Sequence, residues 1–268
     1  MSIRESAVAG SFYTRAAEKL AAEVDGYLGD RGGAARAIGV VSPHAGYMYS
    51  GAVAGAVFAR VTVPDAVVVL APNHGNQGAR LALWGEGAWR TPLGEVAVDE
   101  ELAAAVLARA GVLERDEVAH GPEHSLEVQL PFLQRANPAC RIVPVLLGHA
   151  DAAELEALGA AVAGAIRELG RECLIVASSD MTHYESAESA REKDRLAIDR
   201  VLGLDPAGLL EVVAARRITM CGVCPAAAML WAARALGAKK AELAKYATSG
   251  DVTGDMSEVV GYAGIAVR

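Results

Sequence analysis

The amino-acid sequence predicts an α/β fold, a three-layer α/β/α sandwich built on a mixed central sheet. Continuous apolar runs rich in β-branched residues are typical of strands that are covered on both faces. Segments with the apolar spacing of helices separate these runs. Two further apolar runs near the end of the chain flank the turn-rich stretch GDVTGDM, which predicts an antiparallel pair and hence strands of mixed direction. Because no repeat, low-complexity tract or long linker interrupts the alternation, we expect a single domain over residues 1–268.

Each element follows from its local pattern. Buried strands are predicted at residues 37–42, 66–72, 141–148 and 173–178, and the C-terminal pair at 240–249 and 258–267. Helices are predicted at residues 15–29, 51–60, 99–110, 125–137, 152–169, 187–202 and 225–236. Gly29 is a typical C-cap for the first of these helices, and Asp99 is a typical N-cap for the third. Pro131 is expected to kink or stagger the fourth.

Composition and charge restrict the class of protein. Hydrophobic residues make up 53% of the chain and charged residues 22%, which excludes intrinsic disorder. The net charge of -8, without any cluster of Lys or Arg, argues against nucleic acid and anionic membranes as partners. The uncharged stretch 37–59 is broken by a Ser-Pro-His turn and three glycines, so it predicts a strand, a loop and a helix rather than a membrane span. Four cysteines and no signal-peptide pattern predict a reducing, cytoplasmic location.

Polar residues that could carry chemistry follow three of the buried strands. His44 and His74 each lie in a proline- and glycine-containing turn after a strand, and Asp180 and His183 follow the strand 173–178. Ligands of open α/β sheets bind beyond the carboxyl ends of the strands. One histidine in such a place is more often a hydrogen-bonded loop residue than a metal ligand. Its repetition at three strand ends makes a shared site as good an interpretation as chance placement.

Two other motifs leave alternatives open. Glu123, His124 and Ser125 stand at a predicted helix start. They form either a helix cap or, with His124 as a general acid or base, part of a site. Cys221 and Cys224 form a CxxC at the start of the last helix. They are either a redox pair or the source of one metal-binding thiolate, and Cys224 by itself fits a small buried residue. The turn 249–255 lacks the spacing of an EF-hand and is interpreted as a tight turn that brings two carboxylates near the site.

Several sequence blocks together resemble a known family. They are AVAGSFY, SPHAGYMYSG, APNHG, GPEHSLEVQLPFLQ, VPVLLG, IVASSDMTHY, a CGxxP element, YATSGDVTGD and VVGYAGIAV. In this order they resemble the Memo family, specifically its prokaryotic members called AmmeMemoRadiSam system protein B. The resemblance implies the fold of the catalytic subunit of class III extradiol dioxygenases, a scaffold that can be shared without a shared reaction.

The resemblance also assigns expected roles to individual residues. It implies metal ligation by His44, His74 and Cys221, and a cleft lined by Asp180, His183 and His124. His183 thereby becomes a pocket residue rather than a ligand, and His124 or His183 is expected to move protons. This chain departs from the family pattern at two positions: Thr14 stands where many relatives have Pro, and Cys224 creates a CxxC that would permit a disulfide with Cys221.

The implied ligand set points to a class of metal. Two imidazoles and one thiolate favour Fe(II) or copper, and zinc is also compatible with them. We therefore expect a metal-dependent, dioxygenase-like redox enzyme that acts on a small oxidisable molecule. The alternatives are a non-enzymatic module that binds a peptide or a partner such as a radical SAM protein, and a zinc hydrolase. The sequence specifies neither the substrate nor the oligomeric state.

Overall fold

A mixed sheet runs through the middle of this computed structural model, which describes residues 2–268. The strands, in chain order, are β1 (Ile3–Arg4), β2 (Gly39–Ser42), β3 (Ala66–Pro72), β4 (Leu81–Leu83), β5 (Ala88–Thr91), β6 (Gly94–Ala97), β7 (Glu114–Arg115), β8 (Arg141–Leu147), β9 (Cys173–Ser178), β10 (His183–Glu185), β11 (Ala241–Thr248) and β12 (Val259–Val267). The neighbours β2, β9, β3 and β8 are parallel. Strand β12 joins β2 antiparallel and carries β10 and β11, while β4 joins β8 antiparallel and carries β7. The short strands β1, β5 and β6 form a separate small sheet.

Helices cover both faces of the large sheet. They are α1 (Ala17–Leu28), α2 (Tyr47–Phe58), α3 (Glu100–Arg109), α4 (Leu130–Ala136), α5 (Ala152–Leu169), α6 (Ala187–Leu202), α7 (Pro206–Arg216), α8 (Val223–Ala235) and α9 (Gly250–Thr253). Helices α1, α2 and α4 pack together on one face. Helices α3, α5 and α8 cover the other face, and α7 and α6 continue that layer toward β11 and β12. The predicted three-layer α/β/α architecture with a mixed sheet is confirmed. No helix within residues 2–268 is long and apolar enough to cross a bilayer.

The central strands form where the apolar runs predicted them. Every residue of β2, β3 and β9 is buried, because helices cover both faces and leave no solvated side to select polar residues. Asp99 caps α3 by accepting a hydrogen bond from the Leu102 N–H at 3.2 Å, as predicted. Gly29 ends α1 with a φ of 51°, a conformation that glycine adopts at little cost.

Some elements differ from the prediction. The segment predicted as one helix over residues 125–137 is a 3-10 turn (Glu127–Gln129) followed by α4. Pro131 lies in the first turn of α4, where its missing N–H would have had no helical partner. Helix α2 begins at Tyr47, four residues earlier than predicted, because the Gly46 turn already starts it. The predicted C-terminal turn contains the short helix α9, and α7 and the small sheet were missed.

Candidate metal centre

The site lies beyond the carboxyl ends of the central parallel strands. His44 follows β2, His74 follows β3 and Asp180 follows β9, so the strand order places the three side by side. His183 begins the short strand β10, and His124 lies in the loop before the 3-10 turn. All five line one open cleft of about 680 Å³. The structure therefore brings together the histidines and the aspartate that the sequence predicted as site residues.

Cys221 joins this group from a distant part of the chain. It immediately precedes the Gly222 cap of α8, and its Sγ lies 3.3 Å from Nε2 of His44. One ligand atom from each of His44, His74 and Cys221 lies within 4.8 Å of the others. Ligand atoms that share a tetrahedral cation at about 2.0–2.3 Å are separated by roughly 3.5 Å. Small side-chain movements would therefore allow the three groups to share one ion.

A buried glutamate holds His74. Glu123 Oε1 lies 2.9 Å from Nδ1 of His74, and Glu123 Oε2 accepts the backbone N–H of His74 at 2.7 Å. An ionised carboxylate only accepts hydrogen bonds, so Nδ1 carries the proton and Nε2 is left to bind a cation. Burial lowers the pKa of His74, but the hydrogen bond and charge of Glu123 outweigh it and the net shift is upward. Despite burial, the bonds to His74 and Ser125 hold the pKa of Glu123 far below its usual range.

Glu123 also belongs to a second group of ligand-type atoms, with His74 and His124. Its oxygens already accept N–H bonds from His74 and from the backbone of Ser125, at 2.9 Å for the latter. The Nδ1 of His124 lies 3.4 Å from the same carboxylate oxygen. Because these donors occupy the carboxylate, Glu123 is suited to orienting His74 rather than to binding an ion itself.

His44 is buried and Cys221 is half-buried, and both are neutral groups in this structure. Burial, reinforced by the neighbouring histidines, lowers the pKa of His44 well below its usual value, so the imidazole is neutral and can act as a ligand. Burial and the charge of Asp180 raise the pKa of the Cys221 thiol. The Asp180 N–H donates to Cys221 Sγ at 3.3 Å. A cation between these groups reverses the balance, since a coordinated thiol loses its proton.

The three residues predicted to line the cleft surround the candidate ligands. The His124 ring lies between Phe12 and His74, at centroid distances of 4.7 and 5.0 Å, and burial lowers its pKa. His183 Nδ1 lies 3.0 Å from the carbonyl of Thr219, an acceptor that leaves Nε2 without a proton in the neutral ring. Asp180 Oδ1 accepts the His44 N–H at 2.8 Å, and burial raises the pKa of this carboxyl to about 6.

The two thiols of the CxxC lie in different surroundings. Cys221 contacts His44, whereas Cys224 lines an apolar groove with His149 and residues of α7. Both cysteines are free. In the turn 249–255, Asp255 lines the cleft while Asp251 accepts hydrogen bonds from Thr248. Of the two carboxylates expected near the site, one therefore reaches it.

A buried ion pair ties the N-terminus to the loop that carries Glu123. Arg4 pairs with Glu127, and it also donates to the backbone carbonyl of Glu123 at 2.6 Å. The Tyr13 hydroxyl donates to Glu127 at 2.5 Å. Arg4 lies over the Trp89 ring, 4.4 Å from its centroid. The segment that presents Phe12 to the cleft is thereby fixed at both ends.

Sequence reasoning missed the residues that support the ligands. Glu123 was considered only as part of a helix cap, although its place beside His124 in GPEHS was a usable signal. Ser178 and Gln129 lie behind His44 and make hydrogen bonds that only coordinates reveal. A strand-terminal serine and a helical glutamine have no distinguishing pattern.

Known proteins are similar to this chain over nearly its whole length. A family model described as Memo-like protein matches residues 4–266. A MEMO1 family protein of Methanopyrus kandleri is 44% identical over 279 residues, covering 99% of each chain. One from Methanothermobacter thermautotrophicus is 45% identical over 276 residues, covering 97% of this chain and 99% of the relative. Among solved structures, the uncharacterized protein JW3007 from Escherichia coli K12 is similar in fold, with a TM-score of 0.53 at 15% identity over 86% of this chain and 99% of that chain.

Proposed function

The chain belongs to the Memo family, and on that premise we propose that it is a metal-dependent redox protein that binds one Fe(II) or copper ion through His44, His74 and Cys221. The observation that carries the proposal is the convergence of these three ligand atoms within 4.8 Å of one another. They come from three separate elements, so local sequence proximity does not account for their meeting. A thiolate ligand has to remain reduced, which agrees with a cytoplasmic setting.

The donor set fits the proposed ions. Two neutral imidazoles and a soft thiolate suit copper, iron or zinc and are poor ligands for Mg²⁺ or Ca²⁺. Three protein ligands would leave coordination positions open toward the cleft. When bound there, iron or copper would supply one-electron or O₂ chemistry.

The chain's own residues would bind the substrate and move its protons. His124 and His183 both line the cleft, and in the neutral ring of His183 the Nε2 atom is free to accept a proton. The rings of Phe12, Tyr49 and Tyr184 also line the cleft and would pack against a flat, oxidisable ring. A cleft of about 680 Å³ suits a small molecule.

The charge of the cleft favours a cationic or neutral substrate. Apart from histidines, its charged lining residues are Asp180, Asp255 and Glu258, and no Lys or Arg lines it in the described part of the chain. We expect dopamine to bind about fivefold more tightly than 3,4-dihydroxyphenylacetate, since an exposed charge contact contributes up to about 1 kcal/mol. Titration calorimetry on the wild type and on the double variant Asp255→Asn, Glu258→Gln tests this. The preference should shrink in the double variant, which keeps only Asp180, and equal affinities of the two compounds for the wild type would contradict the assignment.

Metal analysis tests the proposed centre. Protein purified without oxygen and loaded with Fe(II) or copper should retain about one ion per chain. His44→Ala and Cys221→Ala should each lose it, whereas Cys224→Ala, the matched control from the same CxxC, should retain it. Stoichiometric metal in both site variants would discard the assignment. Oxygen consumption with catechol-like compounds then tests for the redox reaction.

Two other functions have their own supporting observations. The same imidazole and thiolate donors are found at catalytic zinc sites, so a hydrolase restored by Zn²⁺ but not by Fe²⁺ is the second candidate. Tyr184 and Met256 are exposed, at 76% and 42%, and Tyr184 borders the cleft, which suits a peptide or a partner such as a radical SAM protein. Co-purification of that partner without turnover would favour a binding module.

A further inference from the structure

The two imidazoles of the candidate centre are held by chemically different partners. Nδ1 of His74 faces the carboxylate of Glu123 at 2.9 Å. Nδ1 of His44 faces the neutral hydroxyl of Ser178, also at 2.9 Å. A hydroxyl can donate or accept, so the contact alone does not fix the tautomer of His44. The other bonds of Ser178 decide it.

The single hydroxyl proton of Ser178 already has an acceptor. Ser178 Oγ donates to the backbone carbonyl of Ser125 at 2.7 Å. It also receives a hydrogen bond from the side-chain amide of Gln129 at 2.8 Å. With its proton committed, the hydroxyl can only accept from His44. Nδ1 of His44 therefore carries the ring proton, and the Nε2 lone pair faces Cys221.

The orientation of Gln129 is fixed in turn. Its Nε2 donates to the carbonyl of Pro43 at 2.9 Å as well as to Ser178. Turning the amide over would bring Oε1 against the Pro43 carbonyl oxygen, which repels it. Oε1 of Gln129 is buried and has no hydrogen-bond partner in the described structure, while both amide protons are used. In this orientation the Gln129 amide makes two hydrogen bonds as a donor and leaves its oxygen without one.

We propose that Ser178 and Gln129 are positioning residues that hold His44 as the Nδ1–H tautomer and so aim its Nε2 lone pair at the metal position. All three side chains are almost fully buried, so water does not compete for these bonds. The consequence for metal affinity rests on the proposed function, whereas the tautomer does not. A neutral partner also makes His44 the less basic of the two imidazoles, because Glu123 brings a full charge to His74.

The tautomer is measured directly in the metal-free protein. Long-range ¹H–¹⁵N NMR spectra of the histidine side chains distinguish the two forms, and His44→Gln identifies the His44 signals. In the wild type we expect Nδ1–H at His44. In Ser178→Ala the ratio of Nδ1–H to Nε2–H should fall by roughly five- to tenfold, the effect of one lost hydrogen bond.

Ser42→Ala is the matched control. Ser42 ends the neighbouring strand and pairs in register with Ser178, but its buried hydroxyl has no partner within residues 2–268. Its removal should leave the tautomer of His44 unchanged. An Nε2–H wild type, or the same ratio in Ser178→Ala as in the wild type, would overturn the proposal.

Metal binding supplies the second readout. Zn²⁺ affinity, measured by chelator competition, should fall by about 10- to 100-fold in Ser178→Ala and in Gln129→Met, with Ser178→Thr restoring most of it. Ser178→Ala that shifts the tautomer yet binds Zn²⁺ as the wild type does would refute the positioning role. A wild type that binds no metal would end the proposed function, and the NMR measurement would still decide the tautomer.

Discussion

Replacing Glu123 by Gln tests how far the His74 ligand depends on a buried charge. Glu123 is 3% exposed, and its oxygens accept three N–H bonds. Oε1 accepts from His74 Nδ1 and from the Ser125 backbone, and Oε2 accepts from the His74 backbone. A glutamine has only one oxygen, so its NH₂ group must meet at least one N–H donor. The orientation that loses least keeps oxygen at the Oε1 position and gives up the bond to the His74 backbone.

The magnitude follows from these bonds. A buried N–H without a partner costs about 1–3 kcal/mol, and replacing a charge-assisted bond by a neutral one costs about 1 kcal/mol. We therefore expect Glu123→Gln to lower the free energy of unfolding by about 2–4 kcal/mol. Metal affinity should fall by about 10- to 100-fold, because the carboxylate fixes the His74 ring and raises its basicity.

Urea unfolding and chelator competition measure the two effects separately. Glu156→Gln, on the exposed face of α5, is the matched control and should leave both quantities unchanged. If Glu123→Gln unfolds at the wild-type urea concentration and binds metal with wild-type affinity, the carboxylate has no orienting role and the reasoning from its three bonds is wrong.

Three further predictions concern the surrounding structure. Burial lowers the pKa of His120 to about 4. As the pH falls, the His120 imidazole thus takes up a proton in the unfolded chain before it does so in the folded protein. Between pH 6.5 and 4 the free energy of unfolding of the wild type should therefore fall by about 3 kcal/mol. Acid unfolding curves of His120→Gln should lack this loss. Arg4→Met leaves the buried carboxylate of Glu127 unpaired and should lower the free energy of unfolding, measured in denaturant, by about 3–5 kcal/mol. Arg36→Met removes an exposed ion pair and should change the same quantity by less than about 1 kcal/mol. Gly222→Ala should displace the start of α8 and reduce bound metal in elemental analysis, because the new Cβ would lie 2.2 Å from the Ser178 carbonyl oxygen; full occupancy would contradict this.

The large sheet was predictable because burial on both faces leaves a plain signature. Strands β3 and β9 have the predicted bounds, since their apolar runs end where the chain leaves the sheet. The same signature located His44 and His74, which follow such runs directly. Short elements gave no comparable signal: β1, with two residues, is defined by its pairing with β5 rather than by its own pattern.

The rest of the site depends on contacts that a linear pattern does not encode. Cys221 was assigned only through the family resemblance, because a cysteine before a helix has several common uses. The roles of Ser178 and Gln129 could not be predicted, because a chain of side-chain hydrogen bonds leaves no regular pattern in the sequence. Glu123 was misjudged for a related reason: a glutamate near a helix start also fits a cap, and only the fold turns it toward His74.

The wide separation of the three candidate metal ligands along the chain has a consequence for biosynthesis. His44 and Cys221 are 177 positions apart, so a nascent polypeptide exposes two imidazoles long before the sulfur leaves the ribosome. Binding of one cation by all three groups would then have to wait until Cys221 has been made. A bound ion would then link two segments that are 177 positions apart and stabilise the folded chain, because it binds the folded state and not the unfolded one. Binding of metal by all three candidate ligands would thus report that translation has passed Cys221.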